Sequence, residues 1–146
     1  MGCNIHVHIE VKKNDIWYHF SAPRVDRNYI LFAVIAGVRM DTLRESDRNS
    51  IKPVAKIHQL PDDISFVTQT CYYQDKRRGL HDVGVLTAED LDVLQNELYK
   101  LHPWVGRTGC DELDLEWSIF RTSINGNTLA DHQDWDDLRV VFWFDN

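Results

Sequence analysis

Residues 138–146 read LRVVFWFDN. From Val140 to Phe144 every position is apolar, so both faces of an extended chain are greasy here. A strand with one wet face alternates apolar and polar residues, whereas one covered on both sides reads as an unbroken apolar run. This stretch therefore predicts a central strand, covered on both faces and tied into the core. Asp145 and Asn146 stand at its carboxyl end.

Working outward, residues 4–11 supply a neighbour of the other kind. Ile5, Val7, Ile9 and Val11 alternate with Asn4, His6, His8 and Glu10, a strict period of two and one greasy face. Lys12–Asp15 is a polar turn, Ile16–Phe20 is an aromatic return strand, and Pro23 ends the hairpin. Residues 27–37 (RNYILFAVIAG) predict a short buried helix, with Asp26 or Asn28 as its cap, Gly37 as its stop and Arg39 just beyond. Residues 40–63 are polar and irregular, and Ile64–Tyr73 is rich in strand formers and reads as a second hairpin arm. The clearest helix spans 87–101. Thr87 and Asp90 stand at capping-box spacing, and Leu91, Leu94, Leu98 and Leu101 form one stripe. Residues 111–124 fit a helix or a strand. The helix is preferred because Asn125–Gly126 follows as a stop. The expectation is an α+β fold with 1–146 as a single compact domain. It has a small mixed sheet, an N-terminal hairpin and a central C-terminal strand, packed against two or three helices.

Composition narrows the function. No apolar run reaches the roughly 18–20 residues of a membrane span, and no basic segment precedes an apolar one, so neither membrane association nor secretion is expected. The opening MGC invites acylation, but His6 stands where the myristoylation pattern wants Ser or Thr. Cys3, Cys71 and Cys110 lack metal-type spacing and read as reduced thiols in a cytoplasmic protein. The net charge of -7 argues against general nucleic-acid binding. That charge is uneven. Residues 1–81 carry 12 Lys+Arg against 9 Asp+Glu, a net +3, and residues 82–146 carry 4 against 14, a net -10. A locally basic half with Arg24, Arg27, Arg39 and Lys76–Arg78 can hold a small anion. Tyr72, Tyr73, Trp17 and Trp104 could stack a base beside it, although aromatic residues more often fill a core.

His6, His8 and Glu10 project from one strand face, with alternate side chains about 6.5–7 Å apart. Two imidazoles at that spacing can converge on one transition metal such as zinc, provided that further ligands join them. Without a metal they can still donate to a ligand or move protons near neutral pH. A strand face open to water would carry the same residues. No phosphate-binding glycine loop and no nucleophile elbow occurs.

The segments MGCNIH, RNYILFAVIAGVR, QLPDDIS, HDVGVLTAEDL and VVFWFDN, in that order, resemble a family of phage and prophage proteins. Those proteins open M-G-C-D-I-H, carry N-Y-x-L-F-A-x-L-A-x-V-R, R-G-L-P-x-D-x-S and a His before L-T-L-E-E-L, and finish R-I-V-F-W-F-D-N. The likeness runs from the first residue to the last, and its two end motifs are the specific ones. Asn4 departs from the family Asp, Gln59 from a Gly within a lost Arg-Gly pair, and Gly84 falls near an expected Ser. The resemblance implies a phage setting more than a chemistry. It singles out His81 as the match of the later His, and with Asp145 His81 completes a candidate metal set of His6, His8, His81 and Asp145.

Three functions follow as expectations. The first is a counter-defence protein that binds and sequesters a small anionic nucleotide-type immune signal, a cyclic nucleotide or an ADP-ribose derivative, in the cytoplasm of an infected bacterium. It needs no cofactor, builds a homo-oligomer, and uses His6, His8, Arg27, Arg39, Tyr72 and His81. The second is a metal-dependent hydrolase or phosphodiesterase using His6, His8 and His81. The third is an inhibitor whose acidic second half docks on a host enzyme.

Overall fold

A computed structural model describes residues 2–101 and 135–146. Its sheet has four strands: β1 (Asn4–Lys13), β2 (Ile16–Ser21), β3 (His81–Thr87) and β4 (Asp137–Asp145). The order is β2-β1-β4-β3 and every pairing is antiparallel, which corrects the expected mixed sheet. The hairpin forces part of this. Asn14 and Asp15 both take positive φ, 51° and 65°, the backbone of a tight two-residue turn whose twist matches antiparallel strands. β4 then runs against both of its neighbours.

As its apolar run predicts, β4 is central. Leu138 to Asp145 are all buried, and Trp143 and Phe144 have no exposed surface. Its register with β1 pairs Phe144 with Ile5, Phe142 with Val7 and Val140 with Ile9. These residues form one face, covered by α1 (Tyr29–Ala36) and α4 (Ala88–Leu101). The α1 boundaries follow the caps. Asn28 Oδ1 accepts from Leu31 N at 3.1 Å, and Gly37, at φ 73°, donates its N–H to Ala33 O. At α4 the capping box is complete. Thr87 Oγ1 accepts from Asp90 N, Asp90 Oδ2 accepts from Thr87 N, and Leu94 and Leu98 point into the core.

The other face carries Val141, Trp143 and Val85, with Tyr72, Cys71 and Ile64 packed upon them. Here the expectation of a strand over 64–73 fails, because the segment is a helix, α3 (Phe66–Asp75). Strand propensity lost to a cap and a tertiary anchor. Ser65 Oγ accepts from Thr68 N, while Glu10 Oε2 accepts from Ser65 N at 3.0 Å and from Thr68 Oγ1 at 2.7 Å. A carboxylate at a helix N-terminus satisfies orphan N–H groups and complements the dipole. Glu10 has no exposed surface, and its Oε1 receives Arg139 Nε at 2.8 Å. Arg139 also binds Asp63 and lies 4.0 Å from the Trp17 ring centroid. The QLPDDIS stretch is thus the strap that holds α3 to the sheet.

Within residues 40–63 the chain forms a short 3-10 turn and α2 (Glu45–Ser50), so the stretch is less irregular than expected. The count of four α-helices among the described residues also exceeds the expected two or three. Ile57 then bridges to Val85 and covers the outer edge of β3. Gly84 permits this approach. A Cβ there would lie 2.6 Å from Phe142 and 2.7 Å from Ile57 O. The expected helix over 111–124, and Trp104, lie outside the described residues.

Two outcomes are expected. Deleting the last six residues removes the three buried aromatic side chains of β4. Truncating one such side chain costs about 3–5 kcal/mol, against a typical stability of about 5–15 kcal/mol, so no cooperative melt should remain by circular dichroism. Glu10→Ala leaves Arg139 buried without its carboxylate and should cost about 3–5 kcal/mol in urea unfolding. An unchanged midpoint would refute the anchoring role.

Candidate functional site

The polar face of β1 passes through three environments, because α3 covers only part of it. Glu10, which shares this strand face with His6 and His8, is the fully buried anchor just described. His8 is also buried. Its Nδ1 lies 3.1 Å from His19 Nε2, and its ring stacks on Trp143 at 4.6 Å between centroids. Burial, then the neighbouring His19, push the His8 pKa down to about 4, so the ring is neutral near pH 7.

Only towards the carboxyl end of β4 does the face become wet. His6 Nε2 lies 2.7 Å from Asp145 Oδ2, and His6 Nδ1 lies 3.5 Å from Asp75 Oδ2. The ring serves both carboxylates at once only with an N–H on each nitrogen. Trp143 Nε1 donates to the same Asp75 oxygen at 3.2 Å. Asn4 Nδ2 donates to Asp145 Oδ1 at 3.0 Å, while Asn4 Oδ1 accepts from Arg27 Nε and Nη2 at 3.2 and 2.9 Å. Burial raises the Asp145 carboxyl, but the bonds from His6 and Asn4, with Arg78 near, outweigh it and hold the group below its usual range. Arg27, Asn4, Asp145, His6 and Asp75 thus form one continuous chain of contacts, from the loop after β2 to the end of α3.

This chain borders a cavity of about 580 Å³. One wall is the β1 segment Asn4–His8, a second is the 22–27 loop with Pro23, Arg24, Val25 and Arg27, and a third is α3 with Cys71, Gln74 and Asp75. That volume lies in the range of small-molecule sites, and apolar walls with a few convergent polar groups are their usual make-up. Arg24 is paired with Asp26. Arg27 bonds to the neutral amide of Asn4.

On the opposite face of the same sheet end lies a second cluster. Cys3 Sγ is 3.9 Å from His81 Nε2, His81 Nδ1 is 2.6 Å from Asp82 Oδ2, and His81 Nε2 is 3.3 Å from Asn146 Oδ1. Burial pushes the Cys3 thiol up, and Arg39 beside it and Arg27 further off oppose that shift.

Of the residues expected to bind a ligand, His6, His8 and Arg27 line the cavity, with His8 contributing from beneath. Arg39 and His81 belong to the Cys3 cluster, and Tyr72 packs edge-on against Trp143 at 5.3 Å. The metal set does not assemble. His6 and Asp145 meet, but His8 turns to His19 and His81 lies across the sheet with Asp82. Among the described residues no three His, Cys, Asp or Glu side chains are placed to hold a metal ion. The reason is the pleat, because His81 pairs with Phe144, whose side chain points away from that of His6. Sequence reasoning missed Asp75, Gln74 and Cys71, since it read their helix as a strand. It also gave no role to Asn4, noted only as a departure from the family Asp. The amide accepts from Arg27 while donating to Asp145, which a carboxylate at that position could not do.

Comparison with protein-family models, with curated proteins and with solved structures yields no match.

The buried His8 sets a pH dependence. The folded state holds its proton with a pKa of about 4, against 6.5 for the free side chain. Stability should therefore be full above the unfolded value and decline as pH falls through the interval between the two values, where only the unfolded chain takes the proton. His8→Gln should flatten that slope in urea titrations, and an identical slope would show that another group sets it.

Proposed function

We propose that the protein binds a small nucleotide-type anion in the cavity between β1, the 22–27 loop and α3. The observation that carries this reading is the Arg27 guanidinium at the cavity wall, positioned by Asn4 and bonded to a neutral amide rather than to a carboxylate. A guanidinium so held keeps its charge for a guest and offers a fork that matches phosphate oxygens. Gln74 and the half-buried Asp75 supply polar groups for the uncharged part of the ligand, and Val25 and Pro23 supply apolar wall.

The resemblance of the terminal motifs to phage and prophage proteins extends the reading to counter-defence. By holding a cyclic nucleotide or ADP-ribose derivative, the protein would withdraw an immune signal from an infected host. Among the described residues His6, His8 and His81 do not converge, so the binding reading is preferred to the hydrolase alternative. No helix among the described residues is long and apolar enough to cross a membrane.

Titration calorimetry with ADP-ribose and with pyrophosphate tests the binding step. Arg27→Gln should weaken both by about tenfold or more, the worth of a charge-assisted hydrogen bond of roughly 1.5–3 kcal/mol. Its melting temperature should stay within a few degrees, since the side chain is exposed. Equal affinity in wild type and variant would overturn the site, and absence of binding to either compound would overturn the nucleotide class.

A further inference from the structure

The Cys3 cluster on the far face of the sheet end is not used by that binding site. Its three groups come from separated parts of the chain: Cys3 before β1, and His81 and Asp82 at the start of β3. They line up as thiol, imidazole and carboxylate. The carboxylate takes one ring nitrogen at 2.6 Å, and the other ring nitrogen faces the sulfur at 3.9 Å. Asp82 holds this position from a left-handed backbone, φ 49°, at the irregularity in β3 pairing between His81 and Gly84. A non-glycine residue in that region is uncommon, and here the conformation carries the Asp82 carboxylate back onto its neighbour's ring. Arg39, also left-handed at φ 61°, lies beside the sulfur.

We propose that Cys3 is a nucleophile directed at small anionic electrophiles, with His81 as its base and Asp82 orienting the imidazole. A nucleophile within reach of a base, which a third group orients, is the general signature of an activated thiol. The Nδ1–H of His81 donates to Asp82, which leaves the lone pair on Nε2 to take the thiol proton, and Nε2–H can then donate to Asn146 Oδ1 at 3.3 Å. Arg39 then favours an anionic partner at the sulfur. Cys3 has no exposed surface at rest, so reaction requires side chains above it, the half-buried Arg39 first, to swing aside. The thiol is the resting form, and its proton moves to His81 as attack begins.

Alkylation tests this directly. With iodoacetate, the Cys3 proton passes to His81 Nε2 and the sulfur forms a bond to the methylene carbon. The carbon–iodine bond breaks, iodide leaves, and His81 releases its proton to water. The folded wild-type protein is treated in parallel with anionic iodoacetate and neutral iodoacetamide, and modification is followed at each cysteine by peptide mass spectrometry. Half-buried Cys71, which lines the proposed anion cavity, serves only to show that the reagents act, and free N-acetylcysteine is the reference for charge preference. The expected result is an iodoacetate-to-iodoacetamide rate ratio at Cys3 about tenfold or more above that of N-acetylcysteine, the attraction of the Arg39 guanidinium beside the sulfur. His81→Gln should abolish the Cys3 reaction. Asp82→Asn, which tolerates the left-handed backbone, should slow it several-fold without unfolding. The proposal is overturned if Cys3 stays unmodified while Cys71 reacts. It is equally overturned if Asp82→Asn, still folded by its melt, reacts at the wild-type rate with the wild-type reagent ratio.

Discussion

The Glu10 carboxylate is the joint on which the α3 side of the molecule depends. It has no contact with water, so its charge must be answered within the protein. Arg139 answers it from the adjacent central strand, and Ser65 and Thr68 answer it from the start of α3. One side chain therefore fixes which helix lies over that face and where the helix begins. The register of β1 with β4 sets Glu10 opposite Arg139, so strand pairing and helix docking are a single condition. Trp17 closes the assembly by lying against the Arg139 guanidinium.

Docking α3 at that point divides the polar face of β1. Near Glu10 and His8 the helix and its aromatic residues exclude water, and the side chains there are structural. Past His8 the helix ends, and Asp75 reaches His6 from its last turn. The cavity is the space left between the end of that helix and the loop that leaves β2. Its polar groups are positioned by strands rather than by loops alone. Asn4 and His6 sit on β1 and are held by Asp145 on β4, which makes the wall rigid where Arg27 leans upon it. Rigid backing lowers the ordering cost of holding a ligand.

The same sheet end serves two faces. Successive residues of a strand point to opposite sides, so Cys3 and Asn4 part company at once. Asn4 joins the His6 and Asp145 contacts, and Cys3 meets His81 beside α1. Basic side chains from the first half of the chain flank both clusters. The positive surplus of residues 1–81, visible as a bare charge count, thus has a spatial meaning that the count does not carry.

Much of the fold was legible because its signals are local. Period-two alternation marked β1, the unbroken apolar run marked β4 as central, and caps marked α1 and α4; each needs only a few neighbouring residues to act. The α3 segment was misread because its local propensity favours a strand. The deciding partner, Glu10, lies 55 residues earlier in the chain. Of the site, the sequence by itself marked His6, Arg27 and Asp145 as residue types able to do chemistry. Only the tertiary structure removed His8 and Glu10 to the interior, sent His81 to the far face beside Cys3, and brought Asp75 to His6. The physical reason is that alternation states which residues share a face of a strand, but not what covers that face. Cover is decided by where a distant helix finds a partner for its N-terminus.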